Sequence, residues 1–210
     1  MRYVSLDIET TGIDPESDQI LQIAAVVADF QGMTYQSFDI IVDNGDIYGS
    51  PYALHLNSRI LKMLADAVPE DYQHGDQGQL PRIAKVEDAI QLFQKWLYLV
   101  LQRNRIVFAG KNFDSFDKQF LKNYGLYDPC AFDLDFGHSA ALDPGILWFD
   151  PMRDTQIPYT AECCRRAGIP DIVTHNAMDD AMQVVELITK YYEKIARLND
   201  AAKPMVGISK

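Results

Sequence analysis

The chain has 210 residues, of which 48% are hydrophobic and 23% charged; these are globular values and exclude a disordered polymer. Its formal net charge of −11 argues against a protein that grips long nucleic acid through many phosphates. The same charge leaves room for an enzyme that holds only a chain end, with part of the acid excess forming a metal site.

Three β-rich runs come first. Tyr3 to Ile8 is short, apolar and stopped by Thr11-Gly12. Ile20 to Phe30 follows, and Thr34 to Val42 is a third run closed by Asp43-Asn44-Gly45. The Gln31-Gly32 link predicts a hairpin, so the three strands are expected to form an antiparallel meander. A short helix is predicted over 58–66 and a polar loop over 67–84, which carries Pro69, Gly75, Gly78 and Pro81. Val86 to Leu101 has helical periodicity, with Ile90, Phe93, Trp96, Leu97 and Val100 on one face. Ile106 to Ala109 reads as a buried strand, Ser115 to Tyr124 as a helix, and 126–146 as an irregular insertion. Ile146 to Phe149 is expected to open a fifth strand. Helices follow over Thr160–Ala167, ended by Gly168, and over Asn176–Leu198, with Asn176 as N-cap. The order predicts one mixed α/β domain over 1–198, helices packed on a central sheet, and a loose tail over 199–210.

No apolar run approaches the ~18 residues of a membrane helix, so no membrane partner is expected. The N-terminus turns acidic too early for a signal peptide. The three cysteines, Cys130, Cys163 and Cys164, build neither a disulfide framework nor a C-x-x-C pair, and a cytoplasmic location is expected.

Three segments carry the chemistry. In Asp7-Ile8-Glu9-Thr10-Thr11-Gly12, strand alternation points Asp7 and Glu9 to one face and Leu6 and Ile8 to the other. Two adjacent carboxylates in a core strand repel each other unless a cation compensates, and hard oxygens suit Mg²⁺ or Mn²⁺. The Thr10-Thr11-Gly12 turn offers backbone N–H groups to a ligand at close range. The second segment is Asn112-Phe113-Asp114-Ser115-Phe116-Asp117, after a strand end. A helix starting near Asp114 makes that residue the cap and leaves Asp117 one turn in, as the metal-ligand choice; Asp114 stays its competitor. In the third, His175-Asn176-Ala177-Met178-Asp179-Asp180, a histidine precedes a helix and its acids lie one turn inside. The histidine suits a base that meets a water, and either acid also complements a helix N-terminus.

Taken in order, Asp7-x-Glu9-Thr-Thr-Gly, Phe116-Asp117-x-x-Phe120 and His175-x-Ala177-x-x-Asp180 resemble the DEDD superfamily of 3′–5′ exonucleases, in its histidine-base branch. Tyr159 to Ile169 resembles the helix and turn before the family's histidine motif. The likeness runs from Met1 to about Leu198. It implies an RNase H-like fold with a five-stranded mixed sheet flanked by helices. It implies metal ligands Asp7, Glu9, Asp117 and Asp180, the base His175, and two divalent cations, Mg²⁺ or Mn²⁺. The implied reaction releases nucleoside 5′-monophosphates from 3′ ends of single-stranded DNA or short oligonucleotides, with Thr10, Thr11 and Gly12 holding the end. Asn112 and His55 are further candidates for contact with the terminal nucleotide. The chain departs from the pattern at Lys111-Asn112, where several relatives have His-Asn. RNA 3′-end trimming in the manner of RNase T or oligoribonuclease is the alternative reaction. A non-catalytic nucleic-acid end-binding module, or an acidic protein holding structural Ca²⁺, would need a missing acid or an EF-hand spacing, and neither is seen.

Overall fold

A computed structural model describes residues 1–75, 79–101, 107–125, 141–171 and 174–201. Five strands form one mixed sheet: β1 (Arg2–Thr10), β2 (Ile20–Asp29), β3 (Thr34–Asp43), β4 (Ile83–Lys85) and β5 (Val107–Ala109), in the order β4-β3-β2-β1-β5. The expected meander is present, since β1 pairs antiparallel with β2 and β2 with β3. The two edge strands add in parallel, β5 to β1 and β4 to β3. At the Gln31-Gly32 hairpin, Gly32 adopts φ 83°, which only a residue without a Cβ takes freely. The turn is tied by Asp29, whose N–H donates to Met33 O and whose C=O accepts from Gly32 N.

Among the described residues the helices are α1 (Pro51–Leu56), α2 (Ser58–Ala65), α3 (Val86–Leu101), α4 (Asp117–Asn123), α5 (Pro144–Leu147), α6 (Thr160–Ala167) and α7 (Ala177–Ala201), with a 3-10 turn at Pro69–Tyr72. Strand alternation divides them between two faces. Val4, Leu6 and Ile8 of β1 join Ile23, Ala25 and Val27 of β2, Phe38, Ile40 and Val42 of β3, and Phe93 and Leu97 of α3 in the largest core. Tyr3 of β1 faces the other way, onto Val184, Val185 and Ile188 of α7. Small residues let α7 lie close to the sheet: Ala177 and Ala181, one turn apart, are fully buried. Ser5 Oγ donates to Ala181 O at 2.8 Å, which pins α7 against β1.

Four sequence expectations change. The fifth strand is β4, inside the stretch read as a loop; three residues after Pro81 are too few to show a period. Ile146–Phe149 is not a strand. Asp143 accepts from Gly145 N at 2.6 Å and Pro144 sits at the first position, so the segment closes into α5 instead. Helix α1 was not anticipated, although Ser50 caps it by accepting from Ala53 N at 3.1 Å and Pro51 opens it. Helix α4 starts at Asp117 rather than Ser115. Asn112 takes φ 61° and its C=O accepts from both Ser115 N and Phe116 N, so a turn occupies the residues before the helix. Ile106, Cys130, residues 126–140 of the insertion and residues 202–210 of the tail lie outside the described residues.

Candidate active site

The site lies at the C-terminal end of β1. Because β1 alternates, Ser5, Asp7 and Glu9 share the face that α7 covers, and Ser5 holds the helix turn that carries Asp180. One carboxylate oxygen each from Asp7, Glu9 and Asp180 lie within 4.8 Å of one another. At Glu9/Thr10 the β1–β2 register shifts, with Glu9 opposite Gln22 but Thr10 opposite Ile20. Such a bulge re-aims side chains at a strand end.

Asp117 arrives from the other side of β1. Along β1, strand β5 pairs with Tyr3–Ser5 and stops at Ala109, so it leaves the Ile8 N–H without a ladder partner on that edge. Asp117 Oδ1 accepts that N–H at 3.1 Å. Gly110 permits the approach, because a Cβ there would stand 2.9 Å from Leu6 O. Asp117 is 2% exposed. Its charge raises the Asp7 carboxyl and the charge of Glu9 raises its own, although it stands outside the group of three acids whose oxygens lie within 4.8 Å.

Asp114, the competitor, is elsewhere. It is exposed, pairs with Lys118 Nζ at 2.9 Å and accepts from Ala141 N at 2.9 Å. Despite partial burial, these partners hold its carboxyl below the usual carboxylate range.

Electrostatics single out the cluster. Burial pushes the Asp7 carboxyl well up, helped by the charges of Asp117, Asp180 and Glu9. Burial raises Glu9 to about 7, the charge of Asp180 adds to this, and the Asn57 amide and Arg59 pull it back. Burial raises Asp117 as well, against the Ile8 N–H bond. Asp180 rises to about 6 through burial, opposed by His175 and assisted by Asp179. Among the described ion pairs none neutralises any of these four acids. Three hard carboxylates, Asp7, Glu9 and Asp180, converge with so little compensation that they fit a divalent cation in chemistry and in geometry, and Asp117 adds a fourth buried acid near Asp7.

His175 is half-buried in the segment before α7, close enough to Asp180 to steady its negative charge. Its φ of 47° lies in the left-handed region, which costs a non-glycine residue ~1–3 kcal/mol and must be held by its surroundings. Asn176 caps α7 as expected, accepting from Met178 N at 3.0 Å.

The Thr10–Gly12 turn is largely committed to the fold. Thr10 Oγ1 donates to Gly12 O at 2.6 Å. Thr11 Oγ1 accepts from Gln19 N at 2.8 Å, and the Thr11 N–H and C=O bond Gln19 O and Ser50 N. A Cβ on Gly12 would meet the Asp18 carboxylate, which would have to swing away. Asn112 is exposed beside the β5 end; its N–H donates to Asp143 Oδ2 at 3.0 Å and its Oδ1 accepts from Lys111. His55 is exposed on the last turn of α1, away from the acid cluster. The residue from that corner that reaches the site is Asn57. It is buried, donates to Thr10 O at 3.0 Å and stands beside Glu9. An asparagine between two short helices reads as a cap, so the sequence held no signal for this role.

Comparisons with known proteins agree with this geometry. A family model described as "Exonuclease" matches residues 4–188. The oligoribonuclease of Haemophilus influenzae is 24% identical over 203 residues, spanning 92% of this chain and 94% of that one. The fold is shared with E. coli exonuclease I in complex with a dT13 oligonucleotide, at TM-score 0.63 and 17% identity over 95% of this chain, which spans only 43% of that larger one. It is shared too with S. pombe Pop2p in its Mg²⁺- and Mn²⁺-bound form, at TM-score 0.60 and 15% identity, covering 95% of this chain and 85% of that one. Exonucleases of this fold use divalent metal ions, and an acidic cluster that could hold one is present here. Among the described residues no helix is long and apolar enough to cross a membrane. With the family model covering nearly the whole sheet and the first half of α7, this chain belongs to the exonuclease family, in its DEDD 3′–5′ class.

Proposed function

We propose that the chain hydrolyses nucleic acid from the 3′ end, releasing nucleoside 5′-monophosphates from single-stranded DNA or short oligonucleotides. The observation that carries this reading is the convergence of Asp7, Glu9 and Asp180 within 4.8 Å, with Asp117 behind them and His175 beside Asp180. Asp7, Glu9, Asp117 and Asp180 would hold two divalent cations, Mg²⁺ or Mn²⁺. Such ions, when bound, neutralise charge on a scissile phosphate and acidify the attacking water.

The chain's own residues do the rest. His175 takes the water's proton on an imidazole nitrogen, near neutral pH where that ring is suited to the task. The Ile8 N–H fixes the Asp117 carboxylate, and the Asn57 amide fixes Glu9 and the Thr10 carbonyl. The Thr10–Gly12 turn, next to Glu9 in the chain, would hold the terminal nucleotide, and Asn112 would be a further contact; His55, exposed on α1, has no observation in its favour. A net charge of −11 disfavours long duplex and favours short single-stranded ends.

RNA trimming is the second reading, favoured by relatives named oligoribonuclease that match over most of both chains. One experiment tests both. A time course on 5′-labelled single-stranded DNA and on RNA of the same sequence, with Mg²⁺, Mn²⁺ or EDTA, should give a metal-dependent ladder shortening from the 3′ end. The faster sugar identifies the substrate class. No cleavage of either by folded protein would sink the hydrolase reading and leave an end-binding module.

A further inference from the structure

The helix start that carries His175 and Asp180 is held from the sheet by Ser5 at Ala181 and, nearer His175, by a second buried side chain. Gln22, on β2 directly opposite Glu9, is 2% exposed. Its Nε2 donates to Asp39 Oδ1 of β3 at 2.7 Å and approaches Asn176 Oδ1 at 3.4 Å. Its Oε1 accepts from Ala177 N at 3.3 Å. Ala177 is the first residue of α7, and its N–H is one of the four that a helix leaves without an internal partner. Asn176 in turn caps the helix, and His175 precedes it with the left-handed backbone already described.

The order of these bonds is set by chemistry. An ionised carboxylate only accepts, so Asp39 forces the Gln22 amide to present its NH₂ group on that side. The carbonyl oxygen then faces α7, where the free N–H lies. Asp39 orients Gln22, and Gln22 bonds the two residues that follow His175 in the chain. We infer that Gln22 is a positioning residue for His175, fixing the base relative to Asp180 through the Asp39–Gln22–Asn176/Ala177 chain. This rests on the reading of His175 as the base.

The test is polarity exchange. Gln22→Glu keeps an acceptor for Ala177 N but sets carboxylate oxygens against Asp39 and Asn176 Oδ1. Asp39→Asn, added to it, supplies a donor and restores the link. Gln22→Glu should lower kcat about 10- to 100-fold, the usual cost of losing an outer partner of a catalytic group. The KM for a 3′ end should be unchanged and the Mg²⁺ affinity by calorimetry should not fall, so that the kcat loss is not loss of metal, and the double variant should recover most of it. Activity is not the sole readout. In metal-free protein the imidazole NMR signals of His175, assigned by their absence in His175→Ala, should move in Gln22→Glu and return in the double variant.

A His175 signal that does not move, or a kcat loss that tracks the melting temperature and is not rescued, overturns the inference. Should Gln22→Glu not fold, Asp39→Asn alone provides the milder perturbation. It should shift the His175 signal and lower kcat to a lesser degree, and no change in either overturns the inference. His175→Ala separates the two levels. Wild-type kcat in that variant removes the base reading itself. Loss of kcat there, with Gln22→Glu unaffected, removes only the positioning role.

Discussion

Metal-free protein should be destabilised by its own site, and Glu9→Gln should relieve it. Burial raises the Glu9 carboxyl from its ordinary 4.5 to about 7. The folded state therefore binds this proton more tightly than the unfolded chain does. Stability is unaffected below about pH 4.5, falls as the pH rises to about 7, and stays low above that. At 1.36 kcal/mol per pH unit the shift corresponds to about 3 kcal/mol at pH 8. Asp180, raised to about 6, acts in the same direction. Glutamine keeps the shape and removes the charge. In EDTA at pH 8, Glu9→Gln should melt roughly 6–12 °C above wild type, at 2–4 °C per kcal/mol for a chain of this size. At pH 5, where wild-type Glu9 holds its proton, the two should nearly coincide. Mg²⁺ at 100 times its dissociation constant adds about 2.7 kcal/mol to wild type, and the variant should gain far less because a ligand is gone. Scanning calorimetry across pH 5–8, with and without Mg²⁺, reads all four conditions. A variant no more stable than wild type at pH 8 in EDTA, or a gap of the same size at pH 5, would refute the argument that these acids are crowded for a cation.

Three further outcomes follow from the same geometry. Asp117→Asn should cut exonuclease rate by more than about 100-fold, while Asp114→Ala should leave the rate near wild type and lose only its Lys118 and Ala141 ties; equal losses in the two would return Asp114 to contention. His175→Ala should lose ~10²–10⁴-fold in kcat yet keep Mg²⁺-dependent binding of a 3′ end, measured by fluorescence anisotropy, since the four acids remain; unaltered kcat would remove the base assignment. Phe93→Ala, in the sheet–α3 core against Phe38 at a ring separation of 5.1 Å, should destabilise by ~3–5 kcal/mol in urea with residual activity intact, and a change under 1 kcal/mol would mean that this core collapses around the loss.

What could be read in the chain, and what could not, divides along the line between local and distant causes. Asp7 and Glu9 were legible because strand alternation is local: Leu6 and Ile8 fill the core, so the two acids must share the opposite face. α3 and α7 were legible for the same kind of reason, since sixteen and twenty-five residues give a helical period room to repeat. β4 has three residues, and its strand character comes from pairing with Ile41–Asp43, forty residues earlier in the chain. Asp117 shows the limit most clearly. Its motif was visible and Asp117 was the choice, but the sequence left Asp114 as a competitor three residues away. What separates them is β5 ending at Ala109, which frees the Ile8 N–H for a carboxylate that must come from beyond the strand end. Gln22 gave no signal at all, as a glutamine in an apolar strand has no local reason to be there. Only the register that sets it opposite Glu9, and the helix start that needs an acceptor, give it one. The acids that carry the chemistry therefore declare themselves by spacing, whereas the groups that aim them are chosen by sheet register. A search for positioning residues in such a site should begin with the strand facing the catalytic one.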